Sequence, residues 1–125
     1  MGVLDGKTAL VTGGSGGLGA YFARLLASEG AKVAVGARRL DRLENLATEV
    51  QGLVPIKMDV TDVDSIEKGI LEADSKLGGI SILINNSGVA NSSAALGVDE
   101  KEWDTVLDTN LKGAWLVAKS VAERM

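Results

Sequence analysis

Short apolar runs alternate with stretches of helical periodicity along the chain. The runs are rich in Val, Ile, Leu and Ala, as is typical of parallel strands that are buried on both faces. They predict four strands, at residues 9–11, 32–37, 53–58 and 81–85. The stretches that follow each run predict four helices, at about 19–29, 41–50, 61–77 and from residue 99 towards 125. Strict alternation of this kind predicts an α/β fold.

Polar residues mark several helix ends. Gly30 stops the first helix, and Thr61 is placed to cap the third. Asp99, with Glu102 three residues later, resembles a capping box at the start of the last helix. The core-facing positions of the first helix are predicted at Leu18, Phe22, Leu25 and Leu26, those of the second at Leu40, Leu43, Leu46 and Ala47, and those of the last at Trp103, Val106, Leu107, Asn110, Ala114, Val117 and Val121.

The order of these elements predicts one domain over residues 1–125, a doubly wound parallel sheet of the Rossmann type. Right-handed crossovers leave the strand order 3-2-1-4, with the first strand beside the point where ligands bind in such sheets. Pro55 in the third strand fits an edge position, because proline cannot donate to a sheet ladder. The irregular stretch 86–97 is the longest loop, and loops of that length are often functional.

Composition narrows the class of function. The formal net charge is −4, with basic residues dispersed among acidic ones, so a nucleic-acid interface is not expected. The sequence has no Cys and no His, which removes disulfides, thiolate chemistry, an imidazole base and the commonest metal ligands; no metal site is predicted. No apolar run reaches the length of a membrane span, and we expect a cytoplasmic protein.

Five glycines follow the first strand, where a helix begins. They are Gly13, Gly14, Gly16, Gly17 and Gly19. A loop of this kind brings backbone N–H groups and the positive end of a helix towards an anion such as a pyrophosphate. A purely structural tight turn is the alternative. Counted as G-x-G-x-x-G, the loop calls for an acid about 20 residues later to bind a ribose hydroxyl, yet Arg38 and Arg39 stand there.

Counted from Thr12, the loop instead reads T-G-x-x-x-G-x-G, and other short motifs follow it in order. These are Asp59-Val60 after the third strand, Asn85-Asn86-Ser87-Gly88 after the fourth and Asn110-Leu111-Lys112-Gly113 in the last helix. From about Asp5 to its end the chain resembles the N-terminal half of the short-chain dehydrogenases/reductases. It departs from their N-N-A-G by a serine at position 87.

The resemblance implies a nicotinamide cofactor and the residues that would hold it. The implied cofactor-binding residues are Gly13, Ser15, Gly17, Leu18, Gly19, Arg38, Arg39, Asp59, Val60, Asn86 and Gly88. A guanidinium matches phosphate geometry, so Arg38 favours contact with a 2′-phosphate and NADP(H) over NAD(H). Arg38 and Arg39 as solvated helix-start residues, and Asp59 as a helix cap, remain the alternatives.

The resemblance gives Asn110 a catalytic role, as the residue that bends the last helix and helps to hold a water in a proton relay. A buried structural amide is the alternative. The family's Ser and its Tyr-x-x-x-Lys pair have no counterpart in the 125 residues. The single tyrosine, Tyr21, lies in the first helix, where we expect it to pack.

Two classes of function follow. The first is the NADP(H)-binding portion of an oxidoreductase that transfers hydride between nicotinamide and a carbonyl or secondary alcohol. The second is a non-catalytic nucleotide-binding or self-assembling module, with a scaffold carrying a vestigial loop as a third and rarer case. The apolar edge at residues 82–85 and the surplus Trp115 and Leu116 predict association with a second copy or with a C-terminal half. No nucleic-acid or membrane partner is expected.

Overall fold

The computed structural model describes residues 2–89 and 94–125. Its strands are β1 (Thr8–Thr12), β2 (Lys32–Ala37), β3 (Val54–Lys57) and β4 (Ile82–Ile84). Its α-helices are α1 (Gly17–Ser28), α2 (Leu40–Glu49), α3 (Val63–Leu77), α4 (Glu100–Leu107) and α5 (Ala114–Ala122). A 3₁₀ turn (Ala95–Gly97) precedes α4, and a π-helical segment (Asp108–Gly113) joins α4 to α5.

The strands form one parallel sheet in the order β3-β2-β1-β4, as predicted. The register sets Leu10 of β1 beside Ala34 of β2 and Leu83 of β4. Pro55 lies in β3 at the edge, where its missing N–H breaks no ladder. The carboxyl ends of all four strands therefore meet along one side of the sheet.

A separate apolar layer covers each face of the sheet. Leu10 and Ile56 point to α3 and α5, where they pack with Ile70 and Val117. The opposite face carries Val11, Val33 and Val35, which pack with Ala20 and Ala23 of α1 and with Leu43 and Leu46 of α2. This alternation along β1 follows from the two-residue period of a strand. Helices on both faces complete the predicted doubly wound arrangement.

The predicted apolar face of α1 is wrong at two of its four positions, since Phe22 and Leu26 are half-buried and Leu26 packs against the core. Its buried residues are the small ones, Gly19, Ala20 and Ala23, whereas Leu18 and Leu25 are exposed. Small residues allow the helix to approach the sheet closely. Side-chain size therefore determines which face of α1 packs on the sheet more than hydrophobicity does. Tyr21 was expected to pack, but it is 57% exposed on the outer side of α1.

The predicted single last helix is interrupted by the π-helical segment. A π turn inserts an extra residue, so the positions after it rotate relative to those before it. Consequently Asn110 is exposed rather than core-facing, and Thr109 and Gly113 are buried in its place. Trp103, which precedes the π turn, is also exposed, and no residue of α4 is buried. The later predicted positions Val117 and Val121 are fully buried.

One predicted helix cap is also wrong. The carboxylate of Asp62, not the Thr61 hydroxyl, caps α3 by accepting from the N–H groups of Asp64 and Ser65. The cap of α4 is as expected, because Asp99 accepts from the Glu102 N–H at 2.7 Å.

The sheet has an apolar edge at β4. In the described part of the chain β4 pairs with β1 alone, and Ile82, Leu83 and Ile84 are only half-buried. No helix in residues 2–89 and 94–125 is long and apolar enough to cross a membrane.

Candidate functional site

A cavity of about 190 Å³ opens at the carboxyl ends of the strands. Typical small-molecule sites measure roughly 300–1,000 Å³, so the cavity suits one end of a dinucleotide rather than the whole molecule. Residues that follow each of the four strands contribute to its wall. The lining residues are Gly13, Ser15, Ala37, Arg38, Arg39, Arg42, Met58, Asp59, Val60, Thr61, Ser87, Gly88, Val89 and Thr109.

The glycine loop after β1 is shaped largely by contacts within the protein. Gly13 and Gly17 have φ of 66° and 56°, which disfavours other residues. A Cβ on Gly19 would lie 2.0 Å from the Gly13 carbonyl oxygen, and one on Gly14 would lie 2.8 Å from the Val35 side chain. Gly16 differs, because a Cβ there would meet nothing within 4 Å. The loop therefore leaves open space at Gly16, on its outer side.

The Thr12 hydroxyl ties the end of β1 to the segment after β4. Its oxygen accepts from the N–H groups of Asn86 at 2.9 Å and Ser87 at 3.1 Å. Its O–H donates to the side-chain oxygen of Asn85 at 3.5 Å. The Asn86 amide in turn donates to the Gly13 carbonyl at 3.4 Å. Thr12 is fully buried, so water does not compete with its hydroxyl as the acceptor for these N–H groups.

Charged groups collect at the ends of β2 and β3. Arg39 donates to both carboxylate oxygens of Asp41, at 3.4 and 3.3 Å, and this hydrogen-bonded guanidinium lowers the pKa of Asp41. Asp59 accepts from the Thr61 hydroxyl at 2.6 Å and from its N–H at 2.9 Å. Those bonds, with a smaller attraction from Arg38, lower the pKa of Asp59 below its ordinary 3.8. Both carboxylates are therefore ionised at neutral pH.

The prediction that Asn110 faces the core is wrong. The residue is exposed and holds the loop after β4. Its side-chain oxygen accepts from the Val89 N–H at 2.8 Å, and its amide donates to the Val89 carbonyl at 2.8 Å. The π-helical segment also brings Thr109 to the cavity wall and sets Gly113 against the Val60 carbonyl, 2.8 Å from where a Cβ would lie. Asn110 thereby fixes one wall of the cavity from outside.

The structure gathers most of the predicted cofactor residues around this cavity. Seven of them line it: Gly13, Ser15, Arg38, Arg39, Asp59, Val60 and Gly88. Gly17 and Leu18 are exposed at the start of α1, Gly19 is buried against Gly13, and Asn86 bonds to Gly13. These four shape the loop rather than the wall.

Sequence reasoning missed other lining residues, notably Arg42, Met58 and Thr109. Arg42 lies four residues after Arg38, a spacing that could have linked the two had the start of α2 been included in the motif. Thr109 carried no such signal, because its position depends on the π turn.

The family model for short chain dehydrogenase matches residues 7–125. The chain belongs to the short-chain dehydrogenase family. This is an oxidoreductase family with a nucleotide-binding fold, and its members bind nicotinamide cofactors. The glycine loop and the cavity at the strand ends occupy the position at which open α/β sheets bind dinucleotides.

Curated relatives are 35–39% identical to this chain over the aligned residues. A 3-oxoacyl-[acyl-carrier-protein] reductase of Thermotoga maritima is 35% identical over 98% of this chain and 51% of that protein. Oxidoreductase UcpA of Salmonella typhimurium is 39% identical over 100% of this chain and 49% of that protein. The chain thus spans about half the length of these relatives.

Solved structures of short-chain dehydrogenases superpose closely on the model. A Mycobacterium marinum enzyme gives a TM-score of 0.93 at 38% identity, with 97% of this chain and 51% of that one covered. A 3-ketoacyl-(acyl-carrier-protein) reductase of Brucella melitensis, complexed with NADH, gives 0.93 at 29% identity over 97% of this chain and 51% of that one.

Replacing Gly19 tests how closely α1 approaches the loop. Gly19→Ala would push a Cβ into the Gly13 carbonyl, and we expect a loss of about 2–4 kcal/mol in the free energy of unfolding, measured by urea denaturation. The matched control is Gly16→Ala, where a Cβ meets no atom; we expect a change within about 0.5 kcal/mol. Equal effects of the two substitutions would contradict this account.

Thr12→Val keeps the shape of the side chain but removes its hydroxyl. The N–H groups of two partly buried residues would then lack this acceptor, and we expect the free energy of unfolding to fall by about 1–3 kcal/mol. Thr12→Ser keeps the oxygen and loses one methyl, so it should retain most of the stability. A valine variant that is as stable as the serine variant would show that the hydroxyl bonds matter little.

Proposed function

We propose that the chain binds NADP(H) at the cavity and forms the cofactor-binding portion of an oxidoreductase. The observation that carries this proposal is the position of Arg38 and Arg39. They follow β2 and line the same cavity as the glycine loop, at the point where an NAD-binding site has an acid for the ribose hydroxyls. A guanidinium there attracts a 2′-phosphate and cannot accept from a hydroxyl.

The remaining wall fits an adenosine end. Met58 and Val60 offer apolar surface after β3, and the ionised Asp59 stands between them as an acceptor for an exocyclic amino group. The pyrophosphate would then pass over the glycine loop towards Gly16 and the start of α1. When bound, the cofactor would supply the hydride.

The reaction we propose for the whole protein is reversible hydride transfer between nicotinamide and a carbonyl or secondary alcohol. Curated relatives include a 3-oxoacyl reductase and, at 35% identity over 98% of this chain and 48% of that protein, galactitol 2-dehydrogenase of Agrobacterium fabrum. Both names describe that interconversion. Asn110 would act as a positioning residue, because it holds Val89 on the cavity wall.

The alternative is a nucleotide-binding module without turnover. Tyr21, the only tyrosine, lies on the outer side of α1 and does not line the cavity. We therefore expect residues 1–125 by themselves to bind the cofactor without oxidising or reducing a substrate.

Calorimetric titration with NADPH and NADH tests the cofactor. We expect NADPH to bind more tightly, and Arg38→Ala to weaken NADPH about tenfold while changing NADH less than about twofold. The control is Lys32→Ala, which removes an exposed cation at the other end of β2 and should leave both affinities unchanged. Failure to bind either nucleotide would contradict the proposal, whereas a preference for NADH would overturn only the role of Arg38.

We further propose that the exposed apolar side chains of the last helices are covered by association. Trp103, Leu111 and Trp115 are 58–67% exposed, and a second copy or a C-terminal half of the fold would bury them. Sedimentation equilibrium of the chain alone should give a mass above 12.9 kDa at micromolar concentration, and Trp115→Ser should lower it. Leu71→Ser, at an exposed position of α3, is the control. A monomer at every concentration would contradict self-association.

A further inference from the structure

The turn that leads into β1 contains the single Asp–Gly pair of the sequence, Asp5-Gly6. Both residues are exposed, and Gly6 has a φ of 82°. A Cβ on Gly6 would meet no atom within 4 Å, so the space beside its backbone is open. In the described part of the chain the Gly6 N–H donates to no acceptor, although the neighbouring Asp5 and Lys7 donate to Gly2 and Leu4. Gly6 therefore presents a free backbone nitrogen next to a carboxyl side chain.

An aspartyl side chain can react with the backbone nitrogen of a glycine that follows it. The nitrogen attacks the side-chain carbon Cγ, the new N–Cγ bond closes a five-membered succinimide ring, and a carboxyl oxygen leaves as water. Ring closure needs the two atoms to approach within about 3–3.5 Å, and glycine has the conformational freedom to allow that approach. Water then opens the ring at either carbonyl. Attack at Cγ restores aspartate, whereas attack at the original peptide carbonyl leaves a main chain that runs through Cγ, which is isoaspartate.

A second reactive pair, Asn86-Ser87, is held by hydrogen bonds in the folded protein. Asparagine before serine forms the same ring with release of ammonia. Here, however, the attacking nitrogen is that of Ser87, which donates to the buried Thr12 hydroxyl at 3.1 Å. The Asn86 side-chain amide donates to the Gly13 carbonyl at 3.4 Å. Both reacting groups are thus engaged, so the fold protects Asn86 and leaves Asp5 open to reaction.

Asp5 connects the segment before β1 to the end of α1. Its carboxylate accepts from the Gly2 N–H at 3.1 Å and lies against Gly30, where a Cβ would collide with it. Beside this contact, the Leu4 N–H donates to the Glu29 carbonyl at 2.8 Å. Isoaspartate adds one methylene to the main chain and moves the free carboxylate to the other side of the residue. The contact with Gly30 would then be lost.

We propose that Asp5-Gly6 converts to isoaspartate in the folded protein, and that the conversion loosens the segment before β1 from the end of α1. The reaction consumes and returns only water, so it needs no other reactant. The inference is independent of the proposed function, because neither residue lines the cavity.

The test incubates the folded chain at neutral pH and physiological temperature, digests samples with trypsin and measures isoaspartate in the peptides. The probe is a carboxyl methyltransferase with labelled S-adenosylmethionine, which transfers a methyl group from sulfur to the α-carboxylate of isoaspartate. Ordinary aspartate within a chain has no such carboxylate. We expect label to accumulate with time at Asp5 and to be at least about tenfold lower at Asn86. No accumulation at Asp5, or equal label at Asn86, would overturn the proposal, because the fold would then not select the site.

Two substitutions test the chemistry of ring closure. Asp5→Glu keeps the charge but would have to close a six-membered ring, so the label at this position should be lost. Asp5→Asn should react several times faster than the unchanged chain, because a neutral amide resists attack by nitrogen less than an ionised carboxylate does. Thermal melts establish that each variant is folded. Label that persists in the glutamate variant, or an asparagine variant that reacts no faster, would contradict succinimide formation.

Hydrogen exchange measures the structural consequence. In chains enriched in isoaspartate, the Leu4 amide, which donates to Glu29, should exchange at least about threefold faster. The amide of Leu10, which is fully buried in β1, is the control and should be unchanged. Unchanged exchange at Leu4 would refute the loosening of the segment and leave the modification itself in place.

Discussion

The hydroxyl of Thr12 connects the two strand ends that form the centre of the site. It joins the end of β1 to the N–H groups of Asn86 and Ser87 after β4, in a place that water does not reach. Asn86 then bonds the Gly13 carbonyl, against which Gly19 packs. The glycine loop, the start of α1 and the segment after β4 are thereby connected by contacts within the protein alone.

The fold could be predicted from the sequence because it depends on features that periodicity reports directly. Apolar strands and right-handed crossovers determine the order β3-β2-β1-β4, and Pro55 marks an edge. The failures have a common cause, which is close packing. Gly19 and Ala23 bring α1 against the sheet, and Gly113, at the end of the π turn that buries Thr109, packs closely against Val60. Neither contact can be predicted from the spacing of hydrophobic residues.

The site was predicted in outline because its residues follow strand ends, where short motifs keep a fixed spacing. The number of glycines in the loop is a weak guide to ligand binding. Gly14 and Gly19 are required by neighbouring protein atoms, and Gly13 and Gly17 by their backbone conformation. Of the five glycines, only Gly16 has no internal reason to lack a side chain. A glycine-rich loop therefore reports dense packing as well as space for a ligand. Arg42 was missed because it lies beyond the strand end, on the helix.

Charge pairing, rather than the number of arginines, decides how the cavity would treat a phosphate. Arg39 and Asp41 are 61% and 67% exposed, and surface pairs of that kind contribute no more than about 1 kcal/mol. Asp41 consequently favours one orientation of the Arg39 side chain without immobilising it. A phosphate dianion at the cavity could recruit Arg39 at little cost, whereas a neutral ribose hydroxyl could not. Under the proposed function, the pairing of Arg39 with Asp41 would therefore make the preference between the two cofactors one of degree.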